Sequence, residues 1–375
     1  MDIFNSYIYM SLSSIYNFGV YVICLISIVA YSLSAKETIG EERRLLFPTL
    51  LLGIVIAMLF GFRPITSGQY GDTLIYAFTY ENIINDYVSF SLTEEWAWHD
   101  LMFFCKSCGL SASHFFIIVS SLYVLFTFLI CYYLFPRGIW ISFLFFIASF
   151  SFYAYGTNGI RNGLSCHLIL ITLPFFFSKK NVKVLLSCVA MIIAIGLHRS
   201  SYLIVLCMIL AKVLKGNVNM ALKIWGASIL ISLITGHIVG DFLWGMGLFD
   251  EKSNYFMEAS ARESASEFSQ TGFRWDFLLY GAIPVFEIWY FKNKRKFEDG
   301  FYDFIATTYL LCNSFWILVI RAAFSNRFAY LSWFLYPLII VYPFIRFKVN
   351  PYQNRYLALI LLLYSSFTIL MFLRG

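Results

Sequence analysis

Charge is what this chain has least of. Of its 375 residues only 13% are Asp, Glu, Lys or Arg, while 60% are hydrophobic and the mean hydropathy is +0.74. Soluble domains carry about a quarter charged residues, so a soluble fold is excluded. No stretch is polar enough for a separate soluble domain, and residues 1–375 read as one integral membrane domain. Clustered metal ligands are also missing. Cys24, Cys131, Cys166, Cys188, Cys207 and Cys312 are scattered through apolar runs, and Cys105 and Cys108 form a lone Cys-x-x-Cys pair. One such pair cannot complete a four-ligand zinc site. No carboxylate cluster asks for a divalent ion either, so no metal and no other cofactor are expected. The N-terminus lacks a basic n-region and a small-residue cleavage site, so the first apolar stretch is expected to be a span. No internal repeat is visible, which weakens an inverted-repeat transporter. The net charge of +6 does not point to nucleic acid, because the basic residues lie in short loops between apolar runs.

Long apolar runs are what the chain has in abundance. Bounded by charge or Gly/Pro, they predict an all-α polytopic protein of about twelve transmembrane helices. The first six are Ser14–Ser34, Leu46–Phe62, Ser113–Phe135, Gly138–Tyr155, Asn158–Ser178 and Val182–Leu197; the second six are Ser200–Leu214, Ala221–Gly240, Trp275–Phe291, Phe301–Ile320, Phe328–Ile345 and Tyr356–Phe372. Alternate connections differ in composition. One side receives 17 of the 27 basic residues, eleven of them lysine, and on the other side only Lys106 and Lys252 are lysines. By the positive-inside rule the lysine-bearing side is cytoplasmic and both termini lie outside. Two outer segments are long. The one at about 63–112 carries Asp72, Glu81, Asp86, Glu94, Glu95 and Asp100 with Trp96 and Trp98, and reads as one or two amphipathic helices at the outer leaflet. The one at about 241–274 is acidic and polar, with a Glu/Ser/Ala-rich stretch over Glu258–Gln270 suited to a helix or lid.

The outer arginines are placed unlike the lysines. Arg63, Arg161, Arg199, Arg274, Arg321 and Arg327 sit at or just outside helix ends, and Arg161 follows Gly156-Thr157-Asn158-Gly159. A helix N-terminus carries a partial positive charge, so a cation there is costly unless an anion is shared. The plainer alternative is that each arginine snorkels to lipid phosphates. For four arginines at helix starts, a bound diphosphate is the favoured expectation, because guanidinium forks match it in a multidentate way. His198-Arg199-Ser200-Ser201 joins runs of about 16 and 15 residues, too short at roughly 1.5 Å per residue for a ~30 Å hydrocarbon core. That turn is expected to be recessed, where His198 suits a general base, or else caps neighbouring carbonyls. On a helix, Asp72, Tyr76 and Tyr80 share one face at i, i+4, i+8. A carboxylate beside tyrosine rings fits a sugar-binding surface, and Asp72 is the second candidate base; alternatively it merely caps its helix.

Taken together, Arg63…Gly71-Asp72-Thr73…Tyr76, Ile160-Arg161-Asn162-Gly163-Leu164, Leu197-His198-Arg199-Ser200-Ser201 and Asn326-Arg327-Phe328-Ala329-Tyr330 resemble the EpsG-like branch of the Wzy-type O-antigen and exopolysaccharide polymerases. The family often has glutamine where this chain has Asn162. The resemblance implies a GT-C-like, mostly helical glycosyltransferase of the bacterial inner membrane, with its active site facing the periplasm. It implies that undecaprenyl-diphosphate-linked oligosaccharide repeats are joined, one as donor and one as acceptor, with release of undecaprenyl diphosphate. A chain-length regulator protein as further partner is left open. Glu94-Glu95 resembles the acidic pair that many polytopic lipid-dependent glycosyltransferases carry in the first outer loop, and joins Tyr76 and Tyr80 among the sugar-binding candidates. Two rivals stand beside this reading: a flippase for the same lipid-linked glycan, which would bury charges midway along helices, and another membrane transferase, acyl-transferring or dependent on a polyprenyl-phosphate donor.

Overall fold

The computed structural model of the protein describes residues 2–33, 45–65, 71–83, 90, 94–236, 238–239, 272–321, 325–347 and 351–374. Among the described residues there are helices and no strands. In chain order they are α1 (Asp2–Leu33), α2 (Leu46–Gly61), α3 (Gly71–Glu81), α4 (Trp96–Ser107), α5 (Ala112–Leu134), α6 (Ile139–Ile147), α7 (Phe152–Thr157), α8 (Ile160–Phe176), α9 (Asn181–Leu197) and α10 (Ser201–Val213). There follow α11 (Val218–Thr235), α12 (Trp275–Trp289, continued by a π-turn over Tyr290–Lys294), α13 (Gly300–Leu318), α14 (Asn326–Trp333), α15 (Tyr336–Arg346) and α16 (Gln353–Arg374). The Glu258–Gln270 stretch and His237 lie outside the described residues.

Each predicted apolar run contains at least one helix, and the first outer segment supplies the two amphipathic helices α3 and α4. Five described segments are long and apolar enough to cross a membrane: Leu12–Leu33, Ala112–Leu134, Val218–Thr235, Arg327–Arg346 and Gln353–Arg374. Shorter apolar helices α2, α8, α9 and α10 accompany them. Their surfaces are inverted relative to a soluble protein. On α1, Ile15, Phe18, Val22, Ile26, Val29 and Leu33 form an exposed apolar stripe, whereas Ser13, Asn17 and Ser27 are buried. Such a stripe would be an aggregation surface in water and is a lipid-facing surface in a bilayer. The chain is a multi-pass membrane protein.

Two predicted helices are interrupted. The run Gly138–Tyr155 breaks into α6 and α7 at Ala148–Ser151, and the side chains around the break explain why this is tolerated. The Tyr16 hydroxyl donates to the Ile147 carbonyl at 2.5 Å, and Thr368 Oγ1 donates to that of Ala148 at 2.8 Å. Backbone groups freed inside a membrane protein must find such partners. The run Phe328–Ile345 breaks between α14 and α15, where Pro337 has no N–H to continue the ladder toward Trp333.

The helices gather into two compact units, residues 1–198 with 341–375, and residues 199–340. In the first, α5 packs on α2 and α8, α8 on α9, α1 on α16, and α4 on α9. In the second, α13 is central and packs on α10, α11, α12 and α14. Its apolar interior is tied by one polar chain: Trp225 Nε1 donates to Asn313 Oδ1 at 2.8 Å, and Asn313 Nδ2 donates to Ser332 Oγ at 3.0 Å. Asn313→Ala removes both bonds: the half-buried Trp225 Nε1–H loses this acceptor, while Ser332 Oγ keeps its bond to the Ala329 carbonyl at 2.8 Å. We expect a loss of about 1–2 kcal/mol, read as a lowered melting temperature of the detergent-purified protein.

Candidate active site

At one end of the first unit, two sequence-distant side chains meet on a single carboxylate. Glu95 stands immediately before α4, Arg161 lies in the first turn of α8, and His198 closes α9 in an extended conformation. Glu95 Oε2 pairs with Arg161 Nη1, and Glu95 Oε1 lies 2.7 Å from His198 Nδ1. The second guanidinium contact is to Tyr76 on α3: Arg161 Nε donates to the Tyr76 hydroxyl at 3.0 Å, with Cζ 5.2 Å from the ring centroid. Trp98 packs edge-on against Tyr76 at 5.5 Å. The side chains of Arg161, Glu95 and His198 are 24%, 17% and 15% exposed, so the charges are shielded yet reachable.

Local sequence explains why they meet. A Cβ on Gly196 would lie 2.6 Å from the Trp96 ring; only glycine lets α4 lie so close to the last turn of α9, and this brings Glu95 to His198. A Cβ on Gly163 would lie 2.6 Å from the Tyr155 carbonyl oxygen, so glycine there lets α8 start tight against α7 and aims Arg161 at the cluster. The start of α3 is fastened to the same corner. The Asp72 backbone N–H donates to Asn158 Oδ1 at 3.3 Å, and Thr73 Oγ1 donates to the Thr157 carbonyl at 3.2 Å.

The predicted site residues divide sharply. Arg161, His198, Glu95 and Tyr76 come together. Asp72, half-buried, sits in the first turn of α3 beside the α7–α8 corner, within the helix and not as its cap. Arg63 is only 3% exposed and serves the fold: Nε donates to Thr73 Oγ1 at 3.0 Å, Nη1 to the Phe60 carbonyl at 2.8 Å, and Cζ lies 4.4 Å from the Phe116 ring centroid. Tyr80 is in the core, not on an open sugar-facing surface. Its ring packs on Phe115, its hydroxyl donates to the Leu110 carbonyl at 2.7 Å, and burial pushes that hydroxyl up to about 12. Glu94 is exposed, so the adjacent acidic pair separates into one inward and one outward carboxylate.

The other four arginines belong to the second unit. Arg199 is half-buried in the turn before α10. Arg274 is forked onto Asp276, Nε to Oδ1 at 2.9 Å and Nη2 to Oδ2 at 2.7 Å, and its Cζ lies 3.7 Å from the Phe277 ring centroid. Arg321 lies over Phe273, and its buried Nε makes no hydrogen bond among the described residues. Arg327 is exposed in the first turn of α14. Among the remaining candidates, Cys105 is buried, Cys108 exposed and both are free thiols, while His114 is engaged in the cap of α5. Sequence reasoning took Glu95 as half of a surface pair and named neither Gly196 nor the anchoring role of Asn158. The signals for Glu95 are its place in the Glu94-Glu95 pair and just before Trp96-Ala97-Trp98.

A bare arginine at a helix N-terminus was expected to need a shared anion, and in this structure the chain's own Glu95 supplies it. Set against known protein families, residues 45–374 match the model of the EpsG family. No curated protein and no solved structure matches the chain.

Proposed function

The chain belongs to the EpsG family, a family of Wzy-like polymerases, and on that footing we propose that it joins undecaprenyl-diphosphate-linked oligosaccharide repeats of an O-antigen or related surface glycan. In this reading it is a GT-C-like enzyme of the bacterial inner membrane with about twelve spans, and its site faces the periplasm. The observation that carries the proposal is the Arg161–Glu95–His198 cluster: a guanidinium at a helix start beside an imidazole already oriented by a carboxylate.

The chemistry divides between those side chains. A hydroxyl of the acceptor sugar attacks the anomeric carbon of the donor. The new C–O bond forms as the bond to the diphosphate breaks, and the departing electron pair stays on the diphosphate. Arg161, whose fork meets phosphate oxygens in pairs, neutralises that growing charge, the main electrostatic demand of such a transition state. His198 accepts the hydroxyl proton. Glu95 faces Nδ1, which makes Nε2, across the ring, the nitrogen that takes it. Asp72 remains the rival base, at the rim of the same corner. Tyr76 and Trp98, both buried, back Arg161 from the core. On the sequence pattern alone Arg199, Arg327, Arg321 and Arg274 are further diphosphate candidates, and Arg274 is already answered by Asp276.

A strain lacking the protein should lose the long-chain ladder of surface polysaccharide and keep a single capped repeat on the gel. Loss of even the single repeat would mean that the unit is never completed or never crosses the membrane. The reading would then pass to a flippase or a monosaccharide transferase.

A further inference from the structure

Glu95 occupies a position with a chemical contradiction. Its carboxylate holds the donor group that the substrate diphosphate requires, since Oε2 pairs with Arg161 Nη1. Two anions cannot both sit on one shielded guanidinium without strong mutual repulsion. The same carboxylate has a second partner within reach, because Oε1 is 2.7 Å from His198 Nδ1. Its backbone lies outside the helix, at φ −84° and ψ 56°, so the side chain can turn about its own bonds while α4 stays seated on Gly196.

We infer that Glu95 is an internal stand-in for the substrate diphosphate: it holds Arg161 until the diphosphate arrives, then yields that guanidinium and keeps His198. The inference rests on the assignment of Arg161 to the diphosphate. With no anion bound, one carboxylate neutralises the guanidinium at the α8 N-terminus and is shared with the imidazole. When the diphosphate takes Arg161, the whole carboxylate charge falls to His198, which favours the imidazolium that forms as the acceptor hydroxyl gives up its proton. Seating of the donor thus strengthens the base. Glu95 is in these terms a positioning residue, acting on acceptor chemistry only through His198 and on the donor only by leaving it room.

Glu95→Gln removes the competing charge and the orienting charge in one step, so binding and turnover should move in opposite directions. Inorganic pyrophosphate, titrated calorimetrically into the detergent-purified full-length protein, is the probe. Glu95→Gln should bind it about tenfold more tightly than the natural protein, and Arg161→Ala should lose binding. In polymerisation of lipid-linked repeats, Glu95→Gln should show a lower KM with kcat reduced on the order of 100-fold. His198→Ala gives a second reading should Glu95→Gln accumulate poorly. With no imidazole to retreat to, Glu95 clings to Arg161 and pyrophosphate should bind several-fold more weakly. Pyrophosphate binding that survives Arg161→Ala unchanged overturns the assignment of Arg161 itself. Binding lost in Arg161→Ala but unaltered in both Glu95→Gln and His198→Ala leaves that assignment standing and overturns the stand-in.

Discussion

Arg161→Ala is expected to abolish long-chain polymer while the protein still accumulates in the membrane. A single well-placed donor to developing negative charge is worth roughly 10²–10³ in rate, and this guanidinium presents several donors from a helix end whose dipole adds to its charge. Loss of about 10³-fold or more is therefore the expected size. The fold should survive, because Glu95 keeps His198 as a partner and α8 is held by Gly163 against Tyr155 and by packing on α5 and α9. Arg161→Lys should recover only part of the activity, since an ammonium keeps the charge and loses the fork. The measurement is the polysaccharide ladder in a deletion strain complemented with each variant, alongside immunodetection of the membrane fraction. A full ladder from Arg161→Ala would sink the mechanism proposed for this site.

The second large effect concerns the base. His198→Ala should reduce the rate by roughly 10²–10⁴, the usual worth of a positioned proton acceptor, whereas Asp72→Asn should cost little. The difference follows from geometry. His198 is held on one side by its backbone N–H to the Ala194 carbonyl at 3.0 Å and on the other by Glu95. Asp72 is anchored through its main chain, which donates to Asn158. Single-turnover assays with purified lipid-linked repeats separate the two. If Asp72→Asn is the damaging change and His198→Ala is tolerated, the proton goes to Asp72, and Glu95 then serves Arg161 alone.

Most of the helical architecture was legible from apolar run length, because a bilayer demands backbone satisfaction within each segment and leaves little else to choose. Of the two breaks, the one in Phe328–Ile345 has a local sign in Pro337, and the one in Gly138–Tyr155 has none. Nothing in Gly138–Tyr155 announces a corner; the Tyr16 and Thr368 side chains that make it tolerable come from opposite ends of the chain. The site was half legible. Arg161 and His198 stood out because cations at helix starts and a histidine in a recessed turn are locally anomalous. Arg63 stood out for the same reason, yet in the fold it braces the core, and its ten-residue separation from Thr73 hides the contact that buries it. Glu95 escaped as a centre because a carboxylate beside another carboxylate looks like a solvated face. Only the glycine at 196, which admits the Trp96 ring, turns it inward. Close approaches of that kind are tertiary facts, and no periodicity within α4 or α9 encodes them.

The order of the cluster along the chain sets a schedule for its assembly. Glu95 precedes Arg161 by 66 residues and His198 by 103. At roughly 5–20 residues per second of synthesis, the carboxylate waits about 5–20 s for its last partner. During that interval α3 and α4 must remain at the membrane surface with their acidic group unanswered. The cluster closes only when α8 and α9 have both been threaded and paired. A nascent chain that loses either helix therefore carries an exposed charge mismatch, a mark by which quality control can tell an unfinished protein from a finished one.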